Sequence, residues 1–461
     1  MRISLVAAIV AATACTAPAP PAPIASVLFP AGGEAYEPTV AIDPTNPDRL
    51  VVAAMNGMPP VGKSTGIVAW SSLDGGRTWQ GEALATPRPA GSTGPQEFGA
   101  DVVAAFAADG TPLLASMSAV GESMGVYLSR VPGGFGSAAA VPVFMNSRDA
   151  ATGATTMYDK DWLLVDRRED SPHRGTVYLS TGALVMAALP DKLGSPWQGP
   201  LISRIELRAS RDGGLTFGHP VTVSADSAFS AQLAVTPGGA LEVTYARLVD
   251  MRGAAMGVFH RRSTDGGATF GPAEPVAVMT GDTLLDSPVL ASRPNGDLLA
   301  CWSQGDRADD RTNRVRCATR PAGGKWSAPR PVDPALPAGA AEAWPAVAGT
   351  DRAWYLGQFV VTERRTEFIL YRSGDGAGFE RVAVLGARDS VGLAQFCTNA
   401  VTPCRRSRPD GFTQGDYTAL SVAGDRLAAA FVLPRVVAAK PDSGAVHVVV
   451  VPEPGLGGAK R

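Results

Sequence analysis

One eight-residue stretch decides the fold: Ser72-Leu73-Asp74-Gly75-Gly76-Arg77-Thr78-Trp79. The same pattern, Ser-x-Asp-Gly-Gly-x-Thr followed by Trp or Phe, returns at residues 210–217 and 263–270. Weaker versions begin at positions 129, 319 and 373, so the six starts lie 57, 81, 53, 56 and 54 residues apart. Self-similarity at such intervals predicts an array of repeated structural units.

Each octapeptide has the composition of a tight turn. Ser and Asp side chains accept hydrogen bonds from backbone N–H groups in a bend, two consecutive glycines supply positive φ, and the final aromatic ring packs between layers. An Asp that accepts backbone hydrogen bonds is a poor catalytic group. The octapeptides therefore locate hairpins, and a functional site is expected elsewhere.

The octapeptide resembles the Asp-box, or BNR repeat, of sialidase-like β-propellers, in which it forms the hairpin between the outer strands of a blade. The resemblance covers nearly the whole chain beyond its N-terminal leader. It implies an all-β fold, a β-propeller of four-stranded blades, and it identifies the chain as similar to bacterial proteins of exo-α-sialidase type.

A second marker, a short opening into an apolar run, recurs once per unit. It occurs at residues 37–42, 99–104, 161–165, 230–235, 287–291, 344–348 and 416–422. Seven openings against six octapeptides favour seven blades, with six as the alternative. The last unit has no octapeptide, so we expect its fourth strand from residues 24–29, which would close the ring and remove exposed edges. A long insertion is expected at residues 181–200.

The domain organisation follows from this pattern. We expect a signal segment at residues 1–15, a Pro-rich tether with the closing strand at residues 16–30, and one propeller domain over residues 31–455. The 52 Gly and 38 Pro among 461 residues exclude a protein of long helices. A formal net charge of -2 gives no reason to expect a nucleic-acid partner.

The N-terminus predicts export. An apolar run over residues 3–14 has the length of a signal-peptide core. It ends in Ala12-Thr13-Ala14-Cys15, which resembles the lipobox of bacterial lipoproteins, although Ala12 replaces the usual Leu. We therefore expect an envelope lipoprotein whose link to the membrane is a lipid on Cys15, with a secreted protein cleaved near Ala14 as the alternative.

The remaining four cysteines suit an oxidising compartment. Their spacing predicts two local disulfides, Cys301–Cys317 and Cys397–Cys404. No CxxC pair occurs and the four histidines are widely scattered, so we expect no metal and no cofactor.

Two motifs have simpler explanations than the functions they suggest. Residues 57–64 match the phosphate-loop expression, but Pro59 and Pro60 remove N–H donors that a phosphate would need. The run at 306–311 offers calcium ligands, yet its place between two strand-like, cysteine-bearing runs favours a solvated hairpin tip.

The sialidase resemblance implies specific catalytic residues. Catalytic sialidases hold the substrate carboxylate with three arginines, use a Tyr activated by a Glu as nucleophile, and use an Asp as acid and base. Tyr417-Thr418-Ala419-Leu420 is similar to the segment that carries the Tyr, so the resemblance implies Tyr417 as nucleophile and Asp161 as acid. The family's first arginine and activating Glu have no counterpart, which leaves open whether the chain is an enzyme.

A cluster of polar and aromatic residues opens the third inner strand. Aromatic faces stack on sugar rings and carboxylates bind hydroxyl groups, so this composition is typical of a glycan site. The predicted ligand-binding residues are Tyr158, Asp159, Lys160, Trp162 and Asp416. The alternative is a structural ion pair at the start of the blade.

Two functions are consistent with the sequence. The first is a propeller, expected to be monomeric, that binds and hydrolyses glycans at the mouth of its channel. The second is a non-catalytic envelope scaffold that holds a protein partner. Three arginines near Tyr417 would favour carboxylated sugars, and the candidates are Arg204, Arg247, Arg314 and Arg364.

Overall fold

The computed structural model describes residues 22–30, 34–57, 66–89, 91–94, 96–121, 123–186, 201–225, 227–248, 255–279, 283–284, 287–305, 312–389, 391–393, 396, 412, 414–437 and 440–452. Its strands form seven antiparallel sheets. Each sheet is one blade of a ring, so the prediction of an all-β, seven-bladed propeller is confirmed.

The strands of the first three blades follow one another along the chain. Strand β1 (Ile24–Leu28) precedes them and belongs to the last blade. The first blade contains β2 (Ala35–Ile42), β3 (Leu50–Asn56), β4 (Gly66–Ser72) and β5 (Gln80–Ala83). The second contains β6 (Phe98–Phe106), β7 (Pro112–Val120), β8 (Ser123–Arg130) and β9 (Ala139–Met145), with a short 3-10 helix at Phe135–Ser137. The third contains β10 (Ser147–Arg148), β11 (Thr155–Val165), β12 (Val177–Met186), β13 (Leu201–Ser210) and β14 (Val221–Ser224).

The other four blades complete the ring. The fourth contains β15 (Ala228–Thr236), β16 (Ala240–Leu248), β17 (Ala255–Ser263) and β18 (Glu274–Val278), with a 3-10 turn at Pro237–Gly239. The fifth contains β19 (Thr283–Leu284), β20 (Val289–Ser292), β21 (Leu298–Gly305), β22 (Arg314–Arg320) and β23 (Arg330–Pro331). The sixth contains β24 (Ala341–Gly349), β25 (Trp354–Val361), β26 (Arg365–Ser373) and β27 (Glu380–Asp389). The seventh contains β28 (Ala419–Ala423), β29 (Arg426–Val437) and β30 (Lys440–Pro452), together with β1.

The inner strands β2, β6, β11, β15, β20, β24 and β28 contact one another in that order, and β28 contacts β2. Burial falls from this hub outward: every residue of β2 is buried, whereas every residue of β5 is exposed. Facing blades cover both sides of the inner and middle strands, which explains their continuous apolar runs. At the junction of the sixth and seventh blades, the rings of Phe368 and Phe431 stack with centroids 4.2 Å apart.

The chain ends meet in the seventh blade. Strand β1 pairs antiparallel with β30, from Ile24 opposite Val450 to Leu28 opposite Val446. The hydroxyl of Ser26 also donates to the carbonyl of Gly76, in the first blade, at 3.1 Å. The N-terminal strand thus completes one blade and contacts the next.

The octapeptides form the hairpins between the third and fourth strands of their blades. In the first, Ser72 Oγ accepts from the N–H of Gly76 at 2.9 Å, and Asp74 Oδ1 accepts from the N–H of Thr78 at 2.9 Å. The hydrogen bonds to Thr78 lower the pKa of Asp74 to about 2. Because strands alternate in direction, these hairpins lie on the face opposite to the one where the inner strands begin.

The structure also bears on the predicted disulfides and on the predicted insertion. Cys301 and Cys317 form the predicted disulfide, joining opposite residues of β21 and β22. Residues 181–186 complete strand β12, so the insertion does not begin at Thr181 as expected. Residues 1–21, 187–200, 306–311 and 397–411 lie outside the described residues, and with them the leader, the rest of the insertion, the hairpin tip and the second cysteine pair. Within the described chain, no helix has the length and apolar character needed to cross a membrane.

Candidate active site at the channel mouth

The inner strands share a backbone distortion at their first residues. Register shifts interrupt the pairing of β2, β6, β11, β15 and β24 near the start of each strand. A residue with positive φ lies at each shift: Glu37 (52°), Asp101 (53°), Lys160 (59°), Ser230 (51°) and Trp344 (49°). A bulge of this kind redirects a side chain out of the strand pattern. Left-handed conformations in residues other than glycine cost free energy and concentrate at functional sites.

Aligning the sequences of the other two openings with these five bulges gives one equivalent residue for each blade. This mouth ring consists of Glu37, Asp101, Lys160, Ser230, Ser287, Trp344 and Tyr417. Titratable residues occupy the positions from the first, second, third and seventh blades. Uncharged residues occupy the other three.

Lys160 reaches across the ring from the third blade to the seventh. Its ammonium pairs with the carboxylate of Asp416, lies 3.8 Å from Asp101 Oδ1, and lies 4.9 Å from the centre of the Tyr417 ring. The Lys160 side chain retains 15% exposure and that of Asp416 25%. Burial works against the charged form of Lys160. The surrounding carboxylates outweigh it and raise the pKa of Lys160, and Asp101 has the largest effect among them. Lys160 therefore carries a positive charge between the third and seventh blades.

Five carboxyl groups surround this ammonium. With Lys160 and Tyr417 they make up what we call the mouth cluster: Glu37, Asp101, Asp159, Lys160, Asp161, Asp416 and Tyr417. The backbone fixes several of them. The N–H of Lys160 donates to Asp159 Oδ1 at 2.9 Å and to Asp101 Oδ2 at 3.1 Å. The N–H of Asp416 donates to Glu37 Oε1 at 3.1 Å.

The carboxyl groups of the cluster differ in protonation. Burial, and after it repulsion from Asp101, raises the pKa of Asp159 to about 7. The same two causes raise the pKa values of Glu37 and Asp161 well above their ordinary range. Asp101 behaves oppositely: burial opposes ionisation, but the charge of Lys160 and hydrogen bonds from Asp159 and Glu37 lower its pKa. At neutral pH the cluster thus combines an ionised carboxylate with neutral carboxylic acids.

Polar atoms in the cluster are left without hydrogen bonds. The two carboxyl oxygens of Asp161 have no hydrogen-bond partner among the described residues. The same is true of the Tyr417 hydroxyl. Asp161 is 1% exposed and Tyr417 8%. Burial, and after it the charge of Asp101, raises the pKa of Tyr417 well above its ordinary value, so its hydroxyl is neutral. Buried polar groups without partners are costly, so a hydrogen bond from a ligand or a water molecule to these atoms would be stabilising.

A cavity of about 280 Å³ lies among the inner strands and is lined by residues of all seven blades. Its wall is largely apolar, and polar side chains tie the strands together. Thr418 Oγ1 donates to the carbonyl of Trp344 at 2.8 Å, and Ser421 Oγ accepts from the N–H of Ile42 at 3.0 Å. A ligand that reaches the mouth cluster therefore meets a rigid channel.

The structure brings together five of the predicted site residues and separates two. Asp159, Lys160, Asp161, Asp416 and Tyr417 belong to the mouth cluster. Tyr158 instead packs against Phe144 of the second blade, with ring centroids 5.0 Å apart. Trp162 lines the channel wall.

The four candidate arginines lie near strand ends on the face of the mouth cluster, and contacts are described for three of them. Arg204 pairs with Glu206 at 2.6 Å. The guanidinium of Arg247 lies over the ring of Phe259, and Arg314 donates to the carbonyl of Ala340 at 2.9 Å. Arg364 is exposed in the turn between β25 and β26.

Sequence reasoning missed Glu37 and Asp101. Each is a single charged residue at the start of an apolar strand, and neither stands next to another polar residue that would mark a site. An alignment of the seven openings could have identified them, because Glu37 and Asp101 occupy the position that Lys160 and Tyr417 hold in their own blades. Within the part of the chain that the structure describes, no group of His, Cys, Asp and Glu side chains has the arrangement of a metal site.

Comparisons with known proteins establish the fold class. No family model matches the sequence, and no curated protein matches it. A protein of unknown function from Dyadobacter fermentans DSM 18053 is 15% identical, with 93% of this chain and 98% of that chain covered at a TM-score of 0.51. A family 25 polysaccharide lyase, an ulvan lyase bound to -[GlcA(1-4)Rha3S]-, is 12% identical, with coverage of 93% and 96% and a TM-score of 0.55. An α-L-arabinanase from Penicillium chrysogenum, complexed with arabinobiose, is 12% identical at a TM-score of 0.46.

Proposed function

We propose that this chain binds glycans at the mouth cluster and cleaves a glycosidic bond there by acid–base catalysis. One observation carries the proposal: Asp159, a carboxyl group with a pKa of about 7, lies beside ionised Asp101 at the mouth of the channel. Enzymes that cleave glycosidic bonds commonly use two carboxyl groups with different pKa values, one as a proton donor and the other in its ionised form. The likeness in fold to an ulvan lyase supports a glycan as ligand.

Asp159 is the proposed proton donor. Its side chain is half-buried, whereas Asp161 and Glu37 are 1% and 5% exposed, so a substrate reaches Asp159 more readily. A general acid works best when its pKa lies near the working pH. In the proposed step the Asp159 proton passes to the leaving oxygen and the anomeric C–O bond breaks. A water molecule then adds to the anomeric carbon and gives its proton to Asp416.

The remaining residues position these groups. Lys160 holds the Asp416 carboxylate, and burial together with the negative charge of Asp101 raises the pKa of Asp159 to about 7. Tyr417 offers a neutral hydroxyl that can bind the sugar. The sialidase resemblance gives Tyr417 and Asp161 the catalytic roles instead, and those assignments stay predictions.

Replacing Asp159 by asparagine tests the proposal. We expect kcat to fall about 10²–10⁴-fold, since the amide cannot donate a proton to the leaving group as an acid does. The assay is release from aryl glycosides and from polysaccharides, with ultraviolet absorbance added to detect the unsaturated product of a lyase. The matched control is Asp351→Asn, because Asp351 is exposed and lies outside the cluster.

The pH profile gives the same test a second readout. The acid must be protonated, so activity should be full well below pH 7 and fall as the pH rises through the pKa of Asp159, about 7. Asp101→Asn removes the repulsion that raises this pKa, and the basic limb should therefore move to lower pH. If the protein neither cleaves nor binds any glycan, the non-catalytic scaffold is the better account of its function.

We also propose that the chain is exported and anchored by a lipid on Cys15, as the sequence before the propeller predicts. Cells expressing the protein with a labelled fatty acid should incorporate label into it and retain it in the membrane fraction. Cys15→Ala should lose both label and membrane retention. Label-free protein in the culture medium would instead support the secreted alternative.

A further inference from the structure

We propose that the mouth cluster selects a sugar residue without an acidic group, so that the substrate is a neutral glycan and not a sialoside, uronate or sulfated glycan. This inference rests on the proposed function, because it names the substrate class of the same site. It departs from both resemblances on record for the chain: sialidases act on a carboxylated sugar, and the ulvan lyase was solved with a glucuronate-containing ligand.

The mouth cluster holds little positive charge. Among the described residues it has one ammonium, that of Lys160, which faces the carboxylates of Asp416 and Asp101. Raised pKa values keep Glu37, Asp159 and Asp161 largely in their neutral acid forms up to neutral pH. Asp416 pairs directly with that ammonium, and Asp101 approaches it to 3.8 Å. The positive charge is therefore already matched within the protein, and an incoming anion would have to displace a carboxylate to reach it. A like charge placed against such a cluster is repelled.

The rest of the mouth ring is uncharged. Ser230, Ser287 and Trp344 occupy the positions from the fourth, fifth and sixth blades, and the Trp344 ring is buried against Phe359 and Phe396. None of these three side chains can neutralise a carboxylate. A sugar that spans the ring thus meets negative charge on one side and uncharged groups on the other.

Three of the arginines on the mouth face already have partners. Recognition of a carboxylated sugar calls for guanidinium groups that grip the carboxylate in bidentate fashion. Arg204 and Arg314 are already held by Glu206 and by the carbonyl of Ala340. Arg247 lies over Phe259. The contacts described for these three side chains lie within their own or neighbouring blades.

The protonation states agree with this geometry. Burial, and after it repulsion from Asp101, raises the pKa values of Glu37, Asp159 and Asp161, so the field of Asp101 disfavours a second negative charge beside it. The charged groups that face Asp159 from the packed elements are Asp101 on β6 and Lys160 on β11. A further anion in this field would compete with Asp101 for Lys160.

Matched pairs of aryl glycosides test the inference on the full-length protein. Each pair has the same ring with and without a carboxylate, glucoside against glucuronide and galactoside against galacturonide, and an aryl sialoside is added. We expect the neutral member to have kcat/KM higher by about tenfold or more. Asp416→Asn removes one negative charge together with the proposed base, so it is read by binding: its preference for neutral over acidic glycans should narrow, whereas Asp351→Asn, an exposed control, should leave that preference unchanged.

A glycan array carrying neutral and acidic glycans supplies the binding readout. Cleavage or binding of neutral glycans, with acidic ones rejected, supports the inference, and binding without cleavage would support it while refuting the catalytic proposal. Equal or better turnover of the uronide or the sialoside overturns it while the proposed glycan cleavage stands. Failure to bind or cleave either class overturns both.

Discussion

Replacing Lys160 by methionine is expected to lower the free energy of unfolding by about 3–5 kcal/mol, the cost typical of breaking a buried ion pair from one side. Methionine keeps the length and apolar stem of lysine but removes its charge. Asp101, 4% exposed, would lose the ammonium that favours its ionised form, and Asp416 would lose its paired cation. Urea denaturation of wild type and variant at neutral pH measures the difference.

The size of this effect should depend on pH. Lys160 lowers the pKa of Asp101, so its removal should raise that pKa in the folded protein. In Lys160→Met the folded pKa of Asp101 is raised. Ionisation of Asp101 then costs more in the folded state than in the unfolded state, so the folded variant loses stability as the pH rises above the unfolded pKa. The deficit of Lys160→Met should therefore be smallest near pH 4 and grow toward neutral pH.

Two further variants separate the ion cluster from general damage. Lys325→Met changes an exposed lysine in a turn and should leave stability within about 0.5 kcal/mol of wild type. Adding Asp416→Asn to Lys160→Met removes one of the uncompensated charges, so the double variant should regain part of the loss. If Lys160→Met unfolds at the same urea concentration as Lys325→Met, the cluster does not hold the four blades together in the way inferred here.

The same cluster shows how far sequence reasoning reaches. The octapeptides predicted the ring because their chemistry is local: Ser72 and Asp74 satisfy backbone groups within four residues, whatever surrounds them. The seventh blade lacks this turn and was predicted from its opening and from the apolar strand at residues 24–29. Both predictions rest on short-range sequence patterns, which can be recognised without knowing how the blades pack.

The site was predictable where charged residues adjoin in sequence, as in Asp159-Lys160-Asp161 and Asp416-Tyr417. Glu37 and Asp101 join them through closure of the ring, which brings four blades to one point, and no local pattern reports that contact. Glu37 does lie in the cluster with Tyr417, but its raised pKa keeps it neutral.

Removing the closing strand should have the largest effect on the fold. A chain that begins at Phe29 lacks β1, and with it five paired residues opposite Val446 to Val450 and the Ser26 contact to Gly76. At about 1 kcal/mol per hydrogen bond the loss reaches about 5 kcal/mol, a large share of the ~5–15 kcal/mol that stabilises a typical protein. We expect the shortened chain to lose its cooperative thermal transition and to aggregate.

The reason is geometric as much as energetic. Without β1 the strand β30 becomes an exposed edge bearing Val446, Val448 and Val450, which are buried in the complete protein. Unpaired apolar edges recruit strands from other chains. The matched control begins at Ala22 and keeps β1, so it should melt like the full chain. A peptide of residues 22–30 added to the shortened chain should restore the transition by adding the missing strand. An unchanged melting temperature without β1 would mean that the other six blades close the ring unaided.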